Sequence, residues 1–94
     1  MTELLLYGTS GCHLCEQAEE LLQHVLAHIN EQLVNAGMGE AAVILRAVEI
    51  TDDPELMRRY SLRIPVIRLA ESEVELGWPF DEMQAWEFLL AQLE

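Results

Sequence analysis

The chain opens on an apolar run, Leu4-Leu5-Leu6-Tyr7, that gives way to Gly8-Thr9-Ser10-Gly11. A short apolar run ending in a turn cluster predicts a buried strand entering a loop. From about Cys12 the apolar positions recur at three- and four-residue steps: Leu14, Ala18, Leu21, Leu22, Val25, Leu26, Ile29, Leu33 and Val34. Glu16, Glu19, Glu20, Gln23 and Glu31 occupy the opposite face. That spacing is one apolar stripe of a long helix of about six turns. It is expected to stop near Gly37-Met38-Gly39, where glycine supplies a left-handed cap.

The second half is built from shorter pieces. Ala42 to Ile50 is apolar and β-branched, which predicts a strand. Asp52-Asp53-Pro54-Glu55 reads as a helix start: an aspartate to cap, proline in the first turn, and capping-box spacing from Asp52 to Glu55. The short helix should run to about Tyr60. Pro65 to Leu69 predicts a third strand whose leading proline misses no ladder donor. The alternation in Glu73-Val74-Glu75-Leu76 predicts an outer strand. Asp81 and Gln84 frame a last helix with Met83, Trp86, Leu89, Leu90 and Leu93 on its apolar face. The order is β-α-β-α-β-β-α over a single domain, residues 1–94. A helix between the first two strands demands a parallel pair with a right-handed crossover, and the last two strands are close enough for a hairpin. The expected fold class is α/β, a central four-stranded mixed sheet flanked by helices.

Charge narrows the functions such a domain can serve. Seventeen acidic residues against five basic ones give a formal charge of -12, with 51% apolar residues. There is no lysine, and the five arginines all fall between Arg46 and Arg68. The net charge is -6 before that segment, +1 within it and -7 after it. A nucleic-acid partner needs a cationic surface and an anionic membrane repels an acidic one, so neither is expected. No apolar run approaches the roughly 18 residues of a membrane span. Met1-Thr2-Glu3 has no basic n-region, so a cytoplasmic protein is expected.

In a reducing compartment, two cysteines three residues apart point to catalysis or metal binding before structural stapling. Cys12-His13-Leu14-Cys15 falls where the first strand becomes the long helix. The spacing puts Cys15 one helical turn above Cys12, within reach of a small disulfide ring. Cys12 at the helix N-terminus faces amide N–H groups that favour a thiolate, the species that attacks disulfides. Glu16 on the same face opposes this, and the balance predicts a moderately lowered thiol pKa. His13, His24 and His28 do not complete a metal site with the cysteines. His24 lies about 13.5 Å along the helix from Cys15, against zinc bonds of about 2.0–2.3 Å. His24 and His28 are read as surface residues, and no metal is assigned.

Tyr7-Gly8-Thr9-Ser10-Gly11-Cys12-His13-Leu14-Cys15 after a strand, with Ile64-Pro65 before a later one, resembles the thioredoxin superfamily and within it the small bacterial glutaredoxin-like proteins. The element order extends the likeness to essentially the whole chain. The resemblance implies a thioredoxin-like fold and a thiol–disulfide oxidoreductase. Cys12 would attack, Cys15 would resolve, and Pro65 would be a cis-proline holding the substrate, with Gly11, His13, Leu14 and Ile64 as supporting residues.

The chain departs from the glutaredoxin pattern at four places. His13 replaces a proline, Thr9 a lysine, Arg63-Ile64-Pro65 a Thr-Val-Pro segment, and Gly77-Trp78-Pro79-Phe80-Asp81 the glycines and aspartate that hold glutathione. Arg58, Arg59 and Arg63, near the proline loop, are candidates to meet a substrate carboxylate in place of the missing lysine. Tyr7, Trp78 and Phe80 are candidates for a substrate groove, while Trp86 is expected in the core. The expected partner is a protein disulfide or small thiol acting on a monomer. No cofactor is expected to be permanently bound, and glutathione stays open as a co-substrate. Two alternatives stand beside this reading: a glutathione-dependent monothiol route using Cys12 alone, and a non-enzymatic binding or iron–sulfur/metal assembly factor.

Overall fold

A computed structural model describes residues 2–93. Strand β1 (Thr2–Gly8) leads to helix α1 (His13–Asn35), strand β2 (Val43–Glu49), helix α2 (Pro54–Tyr60), strands β3 (Val66–Leu69) and β4 (Glu75–Gly77), and helix α3 (Glu82–Leu93). Short 3-10 turns at Gly39–Ala41 and Ile50–Asp52 flank β2. The order is the one expected, and the sheet runs β2-β1-β3-β4. β1 and β2 are parallel, with Thr2 level with Val43 and Gly8 level with Glu49. β3 lies antiparallel to both β1 and β4.

Alternation along β1 divides the core in two. Leu4 and Leu6 join Ala18, Leu22, Val25, Leu26 and Ile29 of α1 and Ala85 and Leu89 of α3 on one face. Leu5 and Tyr7 point to the other face, where Ile50, Tyr60 and Val66 are buried with them under the short α2. Period-2 strands between period-3.6 helices make this layered packing the way to bury both faces. Asn30 ties α1 to the start of β2. Its amide donates to the Val43 carbonyl and its carbonyl accepts the Val43 N–H, both at 2.8 Å.

The helix ends follow local rules. Past α1, the Met38 N–H reaches the Leu33 carbonyl (2.7 Å) and the Gly37 N–H the Val34 carbonyl (3.0 Å). Gly37 takes φ +76° to allow it, a Schellman cap. Asp81 and Gln84 bond reciprocally at the start of α3, each accepting the other's backbone N–H. Three expectations need correction. The cap of α2 is Asp53, whose carboxylate accepts the Glu55 N–H at 2.8 Å, and not Asp52. Met83, expected on the apolar face of α3, is 63% exposed because Ala85 and Leu89 make the contact with α1. Leu14 and Val34, at the ends of the predicted α1 stripe, are exposed because the sheet beneath α1 is shorter than the helix.

Candidate active site

The strand ends set a common level. Gly8 is level with Glu49 of β2. Tyr7 pairs with Val66, so the next residue, Gly8, lies beside Pro65. The Trp78 N–H donates to the Pro65 carbonyl at 3.0 Å, continuing the row to the far edge. The loop from Gly8 to Cys12 therefore leaves the sheet between Glu49 on one side and Pro65 and Trp78 on the other. The Ile64–Pro65 and Trp78–Pro79 peptides are both cis.

Cys12 is the N-cap of α1. Its backbone is extended, its carbonyl receives the Glu16 N–H (3.1 Å), and its sulfur accepts the Cys15 N–H at 3.1 Å. Gly11, at φ +80°, makes the turn that brings it there. Cys12 and Cys15 form a disulfide with their Cα atoms 5.2 Å apart. The two sulfurs are not equivalent. Cys12 is half-buried, whereas Cys15 is only 8% exposed, packed against β1 where Gly8 has no side chain. A Cβ built on Gly8 would sit 2.9 Å from the Cys15 sulfur, closer than real contacts allow. His13 and Leu14 between the cysteines face solvent, His13 with Nδ1 3.6 Å from a Glu16 carboxylate oxygen.

Glu49 is a site residue that sequence reading missed. One carboxylate oxygen accepts the Ser10 N–H at 2.8 Å and the other the Thr51 N–H at 3.3 Å. A hydrogen bond from the Thr9 side chain, with that from Ser10, holds this carboxyl below the usual range. An ionised Glu49 thus braces the loop that carries Cys12. An open cavity of ≈ 280 Å³ beside the disulfide is lined by Cys15, Glu16, Glu19, Glu49 and the Gly8–Gly11 backbone. The signal for Glu49 is an acidic residue at the end of a strand parallel to the one entering the site. It becomes visible only once the strands are paired.

The candidate groove residues separate. Tyr7 is buried, its ring stacked on Tyr60 with centroids 4.2 Å apart, so it supports the site from beneath and is not the groove surface expected of it. Phe80 is 4% exposed in the main core and offers no open surface to a substrate, which corrects its assignment to a groove. Trp78 stays half-buried, edge-on to Phe80 at the site end of the sheet.

The arginines are placed as follows. Arg58 pairs with Glu55 one turn away, and Arg63 donates to Glu75 at 2.6 Å. Arg46 pairs with Glu3, and Arg68 donates to the Tyr7 hydroxyl and the Ser72 carbonyl. Arg59 makes no ion pair among the described residues and lies 5.4 Å from the Tyr60 ring centre. Tyr60 donates its hydroxyl to Glu75 at 2.5 Å. Burial, then that bond, pushes its phenol up to about 12. The same hydroxyl and Arg63 lower the Glu75 carboxyl.

His24 and His28 line a separate cavity of ≈ 310 Å³ between α1 and α3, with Glu82, Met83 and Trp86. Trp86 is half-buried against the core, its ring edge-on to His28. Among the described residues, no group of three or more His, Cys, Asp or Glu side chains is arranged to hold a metal ion. No described helix is long and apolar enough to cross a membrane.

A C-x-x-C disulfide capping the first helix, with a cis-proline beside the strand that feeds it, defines a protein of the thioredoxin superfamily. Solved structures share the fold. A structural-genomics target protein from X. campestris, XcR50, is 35% identical in its crystal structure, over 94% of this chain and 96% of that one, with a TM-score of 0.70. The solution structure of XcR50 gives the same identity and TM-score. Chloroplastic thioredoxin z shares the fold at 15% identity and a TM-score of 0.59, over 99% of this chain and 78% of that one. Comparison with curated proteins gave no match. The chain belongs to the glutaredoxin-like domain family (DUF836), whose model matches residues 3–90.

Proposed function

We propose that the protein is a thiol–disulfide oxidoreductase that works through the Cys12–Cys15 dithiol. One observation carries the reading: the less buried cysteine is the one at the helix N-cap, and its partner is buried one turn above it. In the reduced protein a Cys12 thiolate keeps the N–H donor and the positive helix end that lower a thiol's pKa. It attacks one sulfur of a substrate disulfide, forms a mixed disulfide and expels the other sulfur as a thiolate. The Cys15 thiolate then attacks the Cys12 sulfur. The second substrate thiol leaves and the Cys12–Cys15 disulfide closes, two electrons having passed to the substrate. An external dithiol reduces the enzyme for the next turn.

Gly11 makes the approach to Cys12 in this scheme, Glu49 fixes the loop, and Ile64-Pro65 forms the opposite wall. The setting that suits it is a reducing, cytoplasmic one and a monomer suffices. The test is a pair of variants assayed on a protein disulfide with dithiothreitol as donor. Cys12→Ser is expected to abolish turnover, and Cys15→Ser to stall at a mixed disulfide visible by mass spectrometry. Full turnover by Cys15→Ser with glutathione would replace the dithiol mechanism with a monothiol one. Unchanged turnover by Cys12→Ser would end the oxidoreductase reading.

A further inference from the structure

Leu62 is 98% exposed, the largest exposure among the large apolar side chains of the described residues. A leucine so placed on a chain of formal charge -12 needs a reason only if its position has one, and here it does. Leu62 lies in the loop between Tyr60, which stacks on Tyr7 next to Gly8, and Pro65, which is level with Gly8. That puts it at the Cys12 end of the sheet. Its backbone is not loose. The Arg63 and Ile64 N–H groups both donate to the Tyr60 carbonyl, at 2.8 and 3.1 Å, so the turn is closed beneath Leu62 and turns its side chain outward. Leu14, between the two cysteines, is 45% exposed at the same end, and Trp78 is half-buried in the row beyond Pro65.

The polar groups that would hold a small anionic thiol are largely engaged. Arg58 and Arg63 are paired with Glu55 and Glu75. The Ile64 N–H and Pro65 carbonyl are bonded within the protein. Of the three candidate arginines only Arg59 makes no ion pair among the described residues, and it lies over the Tyr60 ring, 5.4 Å from its centre. What else the rim of the site offers freely is apolar side chain. We infer that Leu62, with Leu14, is a substrate-specificity residue that contacts apolar side chains beside the disulfide of a polypeptide, so that the preferred substrate is a protein disulfide and not a small thiol. This inference rests on the oxidoreductase reading above.

Because its side chain touches almost nothing, Leu62 can be changed without disturbing the fold. Leu62→Gln and Leu62→Met are assayed with dithiothreitol as donor on insulin, a protein disulfide, and on hydroxyethyl disulfide, a small one. Leu62→Gln is expected to lower kcat/KM for insulin about ten-fold, the scale of losing a buried leucine contact. The loss should lie mainly in KM, with the small disulfide unaffected. Leu62→Met should restore most of the insulin activity. Equal effects on both substrates, or no effect on either, would overturn the inference and leave the dithiol mechanism standing. A wild-type protein that reduces neither substrate would overturn both.

Discussion

At Gly8 the relevant property is the absence of a side chain. The Cys15 sulfur occupies the space a Cβ would need, 2.9 Å away, and it is bonded to Cys12 while it does so. Gly8→Ala is expected to force Cys15 or the strand aside. The oxidised protein should be destabilised by about 1–3 kcal/mol, as for other overpacked cores, and disulfide closure should slow. Urea unfolding and the rate of oxidation of the reduced protein check this. Gly77→Ala is the control, since a Cβ there meets nothing within 4 Å. Neither Gly8 nor Glu49 stood out in the sequence. The first matters through a sulfur seven residues on, the second through a bond to Ser10, 39 residues away. The Cys12–Cys15 pairing was legible because its spacing is local, while the cis peptide at Pro65 followed from the resemblance and not from any local pattern.

Among the elements, α2 depends most on its ends, having only seven residues. Asp53 caps it with a carboxylate bonded to the Glu55 N–H, and Arg58 and Arg59 lie in its last turn, where cations favour a helix dipole. Asp53→Ala is expected to cost about 1 kcal/mol of stability, while Asp52→Ala should cost only a few tenths; chemical denaturation of the two variants separates them. The sequence pointed to a cap here but through Asp52, whose spacing to Glu55 fits a capping box, whereas the adjacent Asp53 is the residue that caps. Strands and long helices were legible because their periods are visible over many residues. The one-sided burial of α3 was not. Met83 and Ala85 are both apolar, and only the position of α1 decides that Ala85 goes inside. Leu62 was equally silent, because a lone apolar residue in a loop belongs to no period.

For the molecule as a whole, the missing lysines simplify titration. No lysine titrates in the alkaline range, where folding shifts the phenol of Tyr60. Folding holds Tyr60 neutral up to about 12 by burying it and bonding its hydroxyl to Glu75. The unfolded chain releases that proton near pH 10. The contribution is therefore fully present below about pH 10 and is lost as pH rises to about 12, roughly 2–3 kcal/mol in all. Urea unfolding between pH 9 and pH 12 should show this fall, and Tyr60→Phe should remove most of the slope. Glu75 works in the opposite direction. Its carboxyl is lowered by the same hydroxyl and by Arg63, so its contribution is present above the ordinary carboxylate range and fades as acid titrates the folded group.

The Cys12–Cys15 ring encloses only two residues. A cross-link so local constrains the unfolded chain by about 2 kcal/mol, against nearly 5 for a loop of about a hundred residues. The cross-link adds little to the fold by this route, so unfolding of the oxidised and of the reduced chain is a fair comparison. Four states, folded or unfolded and oxidised or reduced, close a thermodynamic cycle. The difference between the two unfolding free energies equals the energy by which folding moves the dithiol's reduction potential, about 30 mV for each 1.4 kcal/mol. Two denaturation curves on this protein would measure how strongly its architecture holds electrons, with no electrode and no partner enzyme.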